Sequence, residues 1–215
     1  MSSSQSPLPN IPPSAQEEVS VFLSIPWCQR ILSDPEWRVE QCTSRVLKPQ
    51  TREDALLSQS LNSNDTIKGW VSLYRRPQNT TNTNSTTSTH NNTTAAIPGG
   101  LTTEVLTLLS LQPGLNGYSG VCHGGIVATI LDEVMSILVT RCRNSQGVRG
   151  DNVTADLHLT YVKPVPTPAV VLCRAKINDI KGRKYYVDGQ IVDGESGTVL
   201  AKADALFITV QKEKL

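Results

Sequence analysis

The chain has 215 residues, with 20 Lys+Arg against 19 Asp+Glu, a formal charge of +1 and 18% charged residues. That length suits one domain with appendages, and the charge balance excludes a nucleic-acid binder that works by phosphate neutralisation, which needs a basic surplus. Only 38% of the residues are hydrophobic, against about 45–50% on a similar count in ordinary globular chains, so either the core is thin or part of the chain stands outside the fold.

From the N-terminus, Met1–Glu17 carries Pro7, Pro9, Pro12 and Pro13 among polar residues and is expected to be a disordered tail (1–17). It has no apolar run, and the first basic residue is Arg30. Neither a secretory signal nor a mitochondrial transit peptide is indicated. Residues 18–66, with the short amphipathic pieces Val19–Ser33 and Arg52–Leu61, are expected to form an N-terminal helical brace. Lys68–Tyr74 is predicted as a first strand and Thr102–Leu111 as a second. Between them, Asn79–Thr94 is Asn, Ser or Thr at 15 of its 16 positions, His90 being the exception. Nothing there buries apolar surface, so 77–97 is expected to be a disordered insertion. Its glycosylation acceptors at Asn79, Asn84, Asn91 and Asn92 are expected to stay unmodified without a secretory signal.

Gln112–Gly120 is rich in turn residues, and Ile126–Val139 is a long apolar stretch that reads as a buried helix. The last third then alternates with the strand period of two. Val153, Ala155, Leu157, Leu159 and Tyr161 fall on one face, and Thr154, Asp156, His158 and Thr160 on the other. Further strands follow at Val170–Asn178, Lys184–Val192 and Thr198–Val210, joined by the turns Lys181–Arg183 and Asp193–Gly197. Short connections make successive strands antiparallel. Ala201, Ala203 and Ala205 share one face of the last strand, where small side chains let a sheet close over the 126–139 helix.

The five cysteines, at 28, 42, 122, 142 and 173, include no CxxC pair, so neither a disulfide framework nor a zinc site is suggested, and reduced thiols in the cytosol fit best. No window approaches the roughly 18 apolar residues of a membrane helix. The terminal Glu213-Lys214-Leu215 departs from a peroxisomal address at Glu213, which is charged and bulky where Ser is small. A cytoplasmic location is the expectation.

Chemistry concentrates in Val121–Arg143. Gly124 and Gly125 stand where the helix begins, and the first N–H groups of a helix lack internal partners and carry the positive end of its dipole. Glycine lets an acyl carbonyl approach them. Gly125, Ala128, Thr129, Asp132 and Ser136 are spaced three or four apart and share a face of small side chains plus one carboxylate. An oxyanion donor and a carboxylate base are the parts of an acyl-transfer hydrolase. Gly124 and Asp132 are eight residues apart, about 12 Å along a helix, so a single carbonyl does not reach both within one chain unless the helix start is heavily distorted, whereas two antiparallel chains would bring them together. Cys122 beside His123 also invites a cysteine-nucleophile reading, although adjacent side chains point apart. Glu133 is expected to be structural.

His123-Gly124-Gly125-Ile126-Val127-Ala128-Thr129-Ile130-Leu131-Asp132, within Asn116–Glu133 and followed by four antiparallel strands, resembles the His-Gly-Gly…Asp branch of the PaaI-like hot-dog-fold acyl-CoA thioesterases. The resemblance covers roughly residues 68–210. It implies an α+β hot-dog fold at 67–212, with an antiparallel sheet wrapped around a central helix and the brace as an N-terminal extension. It also implies dimers or dimers of dimers, and hydrolysis of acyl-CoA or a related thioester without metal or other cofactor. By position, Asp132 is the base or nucleophile acting on water or the thioester, Gly124 the carbonyl-polarising N–H and His123 the residue that orients the loop. Gly125, Thr129 and Asn116 are substrate-binding candidates. Asn116 stands one residue before the position where some members carry Asn, which here is Gly117. Arg183 and Lys184, with Lys181, are candidates for the CoA phosphates. A non-catalytic acyl-binding protein and a dehydratase or lyase of the same fold are the alternatives.

Overall fold

The structure, a computed structural model, describes residues 11–75 and 101–211. The first ten residues of the expected tail and the whole expected insertion lie outside the described residues. Three helices are α1 (Gln16–Ser20), α2 (Pro26–Ser33) and α3 (Gly124–Ser145). The strands are β1 (Trp37–Glu40), β2 (Ile67–Arg75), β3 (Glu104–Leu111), β4 (Asn116–Tyr118), β5 (Val121–Cys122), β6 (Asp151–Tyr161), β7 (Ala169–Lys181), β8 (Lys184–Asp193) and β9 (Val199–Val210). Seven of them form one antiparallel sheet in the order β1-β2-β3-β7-β8-β9-β6, and β4 and β5 pair separately.

The sheet curls over α3, as the hot-dog resemblance implies. Ile130, Leu131, Val134, Met135, Leu138, Val139 and Cys142 of the helix are fully buried against Trp70, Leu109, Cys173, Val187, Ile191 and Phe207 of the strands. Each such Leu or Ile contributes about 1.5–3 kcal/mol by leaving water. Small residues set the closeness: Ala201, Ala203 and Ala205 are buried in this core. A Cβ at Gly189 would lie 3.0 Å from Met135 Sδ and 3.2 Å from Leu131 Cδ2. The core is therefore not thin, and the low apolar share reflects residues outside it.

The expected brace is more than helical. Residues 11–17, assigned to a tail from their prolines, instead run through a single 3₁₀ turn into α1, with Ala15 buried. Beyond α2 the brace adds β1 to the edge of the sheet against β2. Val19, Phe22, Trp27, Cys28, Leu32 and Val39 cover the outer face of the sheet at Val71, Leu73, Leu108, Leu172 and Val192. Arg45 fastens this layer. It is buried, and it donates to Glu18 at 2.8 Å, to Asn62 Oδ1 at 2.6 Å and to the Ile67 carbonyl at 3.1 Å.

At the opposite edge, β6 pairs only with β9 and breaks its own alternation. Thr154 pairs with Phe207 and Asp156 with Leu206, leaving Ala155 as a bulge. One extra residue flips the faces. Leu157, Leu159 and Tyr161 oppose the inward alanines of β9, while Thr154, expected on the other face, stands opposite the buried Phe207 on the helix side. Among the described residues no helix is long and apolar enough to cross a membrane.

Candidate active site

The approach to α3 is clamped on both sides. The His123 N–H donates to the Leu115 carbonyl at 2.8 Å and the Cys122 N–H to the Val165 carbonyl at 2.9 Å. His123 is the N-cap of the helix, and its Nδ1 accepts from the Gly125 N–H at 2.9 Å. That bond requires the neutral imidazole with its proton on Nε2. The N–H groups of Ile126 and Val127 both donate to the His123 carbonyl. The first turn is thereby used up except at Gly124, whose N–H makes no hydrogen bond among the described residues. The cap takes up the Gly125 N–H, and the Gly124 N–H is the donor left over in the first turn.

Gly124 borders a cleft of about 510 Å³ whose wall includes Tyr118, Val121, His123, Tyr161 and Lys163. Tyr161 was not a sequence candidate. Its Oη donates to the Gly124 carbonyl at 2.9 Å, and a Cβ at Gly124 would meet that oxygen at 3.1 Å. Gly117 is equally tight, because its Cβ would lie 3.0 Å from His123 Cα. Asn116 Oδ1 accepts from Thr167 Oγ1, which ties the β4 loop to the β6–β7 connection.

Asp132 does not line this cleft. It is partly exposed on the α3 face toward β6, and its Oδ1 accepts from Thr154 Oγ1 at 2.7 Å. The bulge at Ala155 aims Thr154 at this carboxylate, so no reading by strict alternation finds the pair. Thr129 turns inward on its own helix, its Oγ1 donating to the Gly125 carbonyl at 2.9 Å. Glu133, next to Asp132, accepts from Ser44 of the brace. Burial, first of all, pushes its carboxyl above the usual range.

Arg183 and Lys184 stand at the β7–β8 turn. The neighbouring Tyr185 donates through its hydroxyl to Gln146, at the C-terminal end of α3, so this turn is at the other end of the helix from Gly124. Lys181 is paired with Asp179 at 2.8 Å. The cation beside Gly124 is Lys163. Cys122 is buried, and burial pushes its thiol up to about 11, which disfavours the thiolate a nucleophile needs. Among the described residues no group of three or more His, Cys, Asp or Glu is placed to hold a metal ion.

Residues 119–200 match the family model of the thioesterase superfamily. A mouse protein, acyl-coenzyme A thioesterase THEM4, is 37% identical over 113 residues, which are 52% of this chain and 46% of that one. The chain spans less than half the length of the THEM4 relatives it matches. Verlamelin biosynthesis protein B of a Lecanicillium species is 24% identical over 93% of this chain and 91% of its own. Among solved structures, a hypothetical thioesterase with coenzyme A from Streptococcus pneumoniae TIGR4 aligns at 18% identity and a TM-score of 0.46, over 52% of this chain and 82% of that one.

Proposed function

We propose that this chain, whose residues 119–200 belong to the thioesterase superfamily, hydrolyses acyl thioesters, acyl-CoA foremost, in a site completed by two copies of itself. The observation that carries the reading is the division of labour along α3. One N–H at the helix start, that of Gly124, is left for a ligand while its neighbours are bonded, and two turns later Asp132 stands partly exposed, held by Thr154. The names of the THEM4 relatives support a CoA thioester as substrate.

The thioester carbonyl oxygen sits on the Gly124 N–H of one chain, where the helix dipole stabilises the charge that develops as the carbon becomes tetrahedral. Asp132 of the other chain takes a proton from a water, and the resulting hydroxide attacks the carbonyl carbon. The carbon–sulfur bond breaks, the thiolate leaves and takes up a proton, and the acid is released. Thr154 fixes the carboxylate rotamer, leaving its second oxygen for the water. His123 holds the glycine turn open, and Lys163 in the cleft suits an anionic thiol carrier.

Thiol release from a panel of acyl-CoAs tests this directly. The wild-type chain is expected to release thiol, and Asp132→Asn to lose at least about 100-fold in kcat, the scale of a lost general base. No release from any thioester, or full activity in Asp132→Asn, would overturn the reading.

A further inference from the structure

A second cavity, of about 360 Å³, opens beyond Asp132 toward the C-terminal end of α3, between that helix, the start of β6 and the 40–54 segment of the brace. Its floor continues the helix face that carries Asp132. Ser136, Thr140 and Arg143 follow at four, eight and eleven residues, close to one, two and three turns. Asn152 joins the first two, donating to Ser136 Oγ at 2.9 Å and accepting from Thr140 Oγ1 at 2.6 Å. The Asp132–Thr154 pair is the preceding rung on the same two elements.

Arg143, which lines this cavity, is only 5% exposed, and its Nε and Nη1 have no hydrogen-bond partner. Buried donors without an acceptor are costly and rare in native proteins, so they point to an acceptor supplied by a ligand. Several of the other charges are matched: Lys48 donates to Asp54, Arg141 donates to Glu40 at 2.6 Å, and Glu133 accepts from Ser44. An aliphatic chain in the cavity would leave Nε and Nη1 of Arg143 unmet. A carboxylate would enter against Glu40, Glu53, Asp54, Glu133 and Asp151. A hydroxyl suits both sides, because it accepts from a guanidinium and donates to a carboxylate or amide oxygen.

We infer that the acyl group of the substrate carries a hydroxyl along its chain, and that this cavity receives the hydroxylated stretch while the thioester lies at Asp132. The inference rests on the thioesterase reading and names the substrate class of the same site. The helix rise puts Ser136 about 6 Å and Arg143 about 16 Å from Asp132 along the axis, which brackets the distance from thioester to hydroxyl.

The experiment compares acyl-CoAs of one chain length, unsubstituted and hydroxylated at successive positions, by kcat/KM for thiol release. At least one hydroxylated thioester is expected to exceed the unsubstituted one about tenfold, since a site built to bond a hydroxyl rejects the analogue that lacks it. In Arg143→Met, and separately in Ser136→Ala combined with Thr140→Val, that ratio falls to about twofold or less. Equal or better turnover of the unsubstituted chain at every position overturns the inference and leaves the thioesterase reading standing. If no thioester is hydrolysed, that reading fails. Calorimetric titration of the wild-type chain with the free acids then decides the cavity, and it serves equally where a variant fails to fold. Binding of a hydroxy acid about tenfold tighter than the unsubstituted acid supports the inference, and equal affinity overturns it.

Discussion

At the scale of single residues, His123 decides which N–H the helix start offers. With its Nδ1 on the Gly125 N–H and its carbonyl on those of Ile126 and Val127, only the Gly124 donor remains, and Thr154 gives Asp132 one fixed oxygen. Thr154→Val keeps the shape and removes the hydroxyl. Steady-state kinetics are expected to show kcat lowered about tenfold, with KM nearly unchanged, because the bond orients the base without holding substrate. Glu133 behaves differently. Burial raises its carboxyl above the usual range, with the Ser44 bond opposing, so the folded chain holds this proton more tightly than the unfolded chain. Its contribution to stability is therefore full in acid and is lost as pH rises through the raised value. Glu133→Gln should melt higher than the wild type at neutral pH, and the gap should close in acid, as measured by thermal unfolding across pH.

At the scale of elements, the sheet and the central helix are legible in the sequence because one buried face imposes a period on each. The predicted strands at Val170–Asn178 and Thr198–Val210 lie within or nearly coincide with β7 and β9, and the Gly-Gly start of α3 is where the motif puts it. What the period could not show is where it breaks. The bulge at Ala155 moves Thr154 to the helix side, and nothing in a run of alternating residues marks which one is extra. Tyr161 carries no mark in the sequence for a related reason: its contact with Gly124 is made across 37 residues by tertiary packing. Residues 11–17 read as tail from their prolines and polar side chains, whereas Ala15 among them packs against the outer face of the sheet. Arg45 is the bolt of that cover. Arg45→Met would strand Glu18 and the carbonyls of Leu61 and Ile67 and is expected to cost about 3–5 kcal/mol, as for other buried ion pairs that lose one partner. Denaturant unfolding measures it.

At the scale of the whole molecule, the proposed site needs two chains. The cleft at Gly124 and the carboxylate of Asp132 are about 12 Å apart along the helix, and β6, which brings Thr154 to the carboxylate, is an edge strand with Val153 and Tyr161 exposed at 45% and 56%. An unpaired edge of this kind invites a second copy, and a two-fold arrangement of antiparallel helices would carry each Gly124 to the other chain's Asp132. The opposite edge is the four-residue β1 of the brace, which also covers the outer face of the sheet, so the long free edge is that of the eleven-residue β6. If the site is shared as proposed, two inactive chains complement each other. Gly124→Pro removes the N–H at the first helical position, where proline is well tolerated, and His123, at ψ 135°, already has the backbone that precedes a proline. Asp132→Asn removes the base. Refolded together in equal amounts, the two variants are expected to regain about a quarter of wild-type thiol release, since half the dimers are mixed and each holds one intact site of two. Activity no higher than that of either variant alone would contradict the shared site.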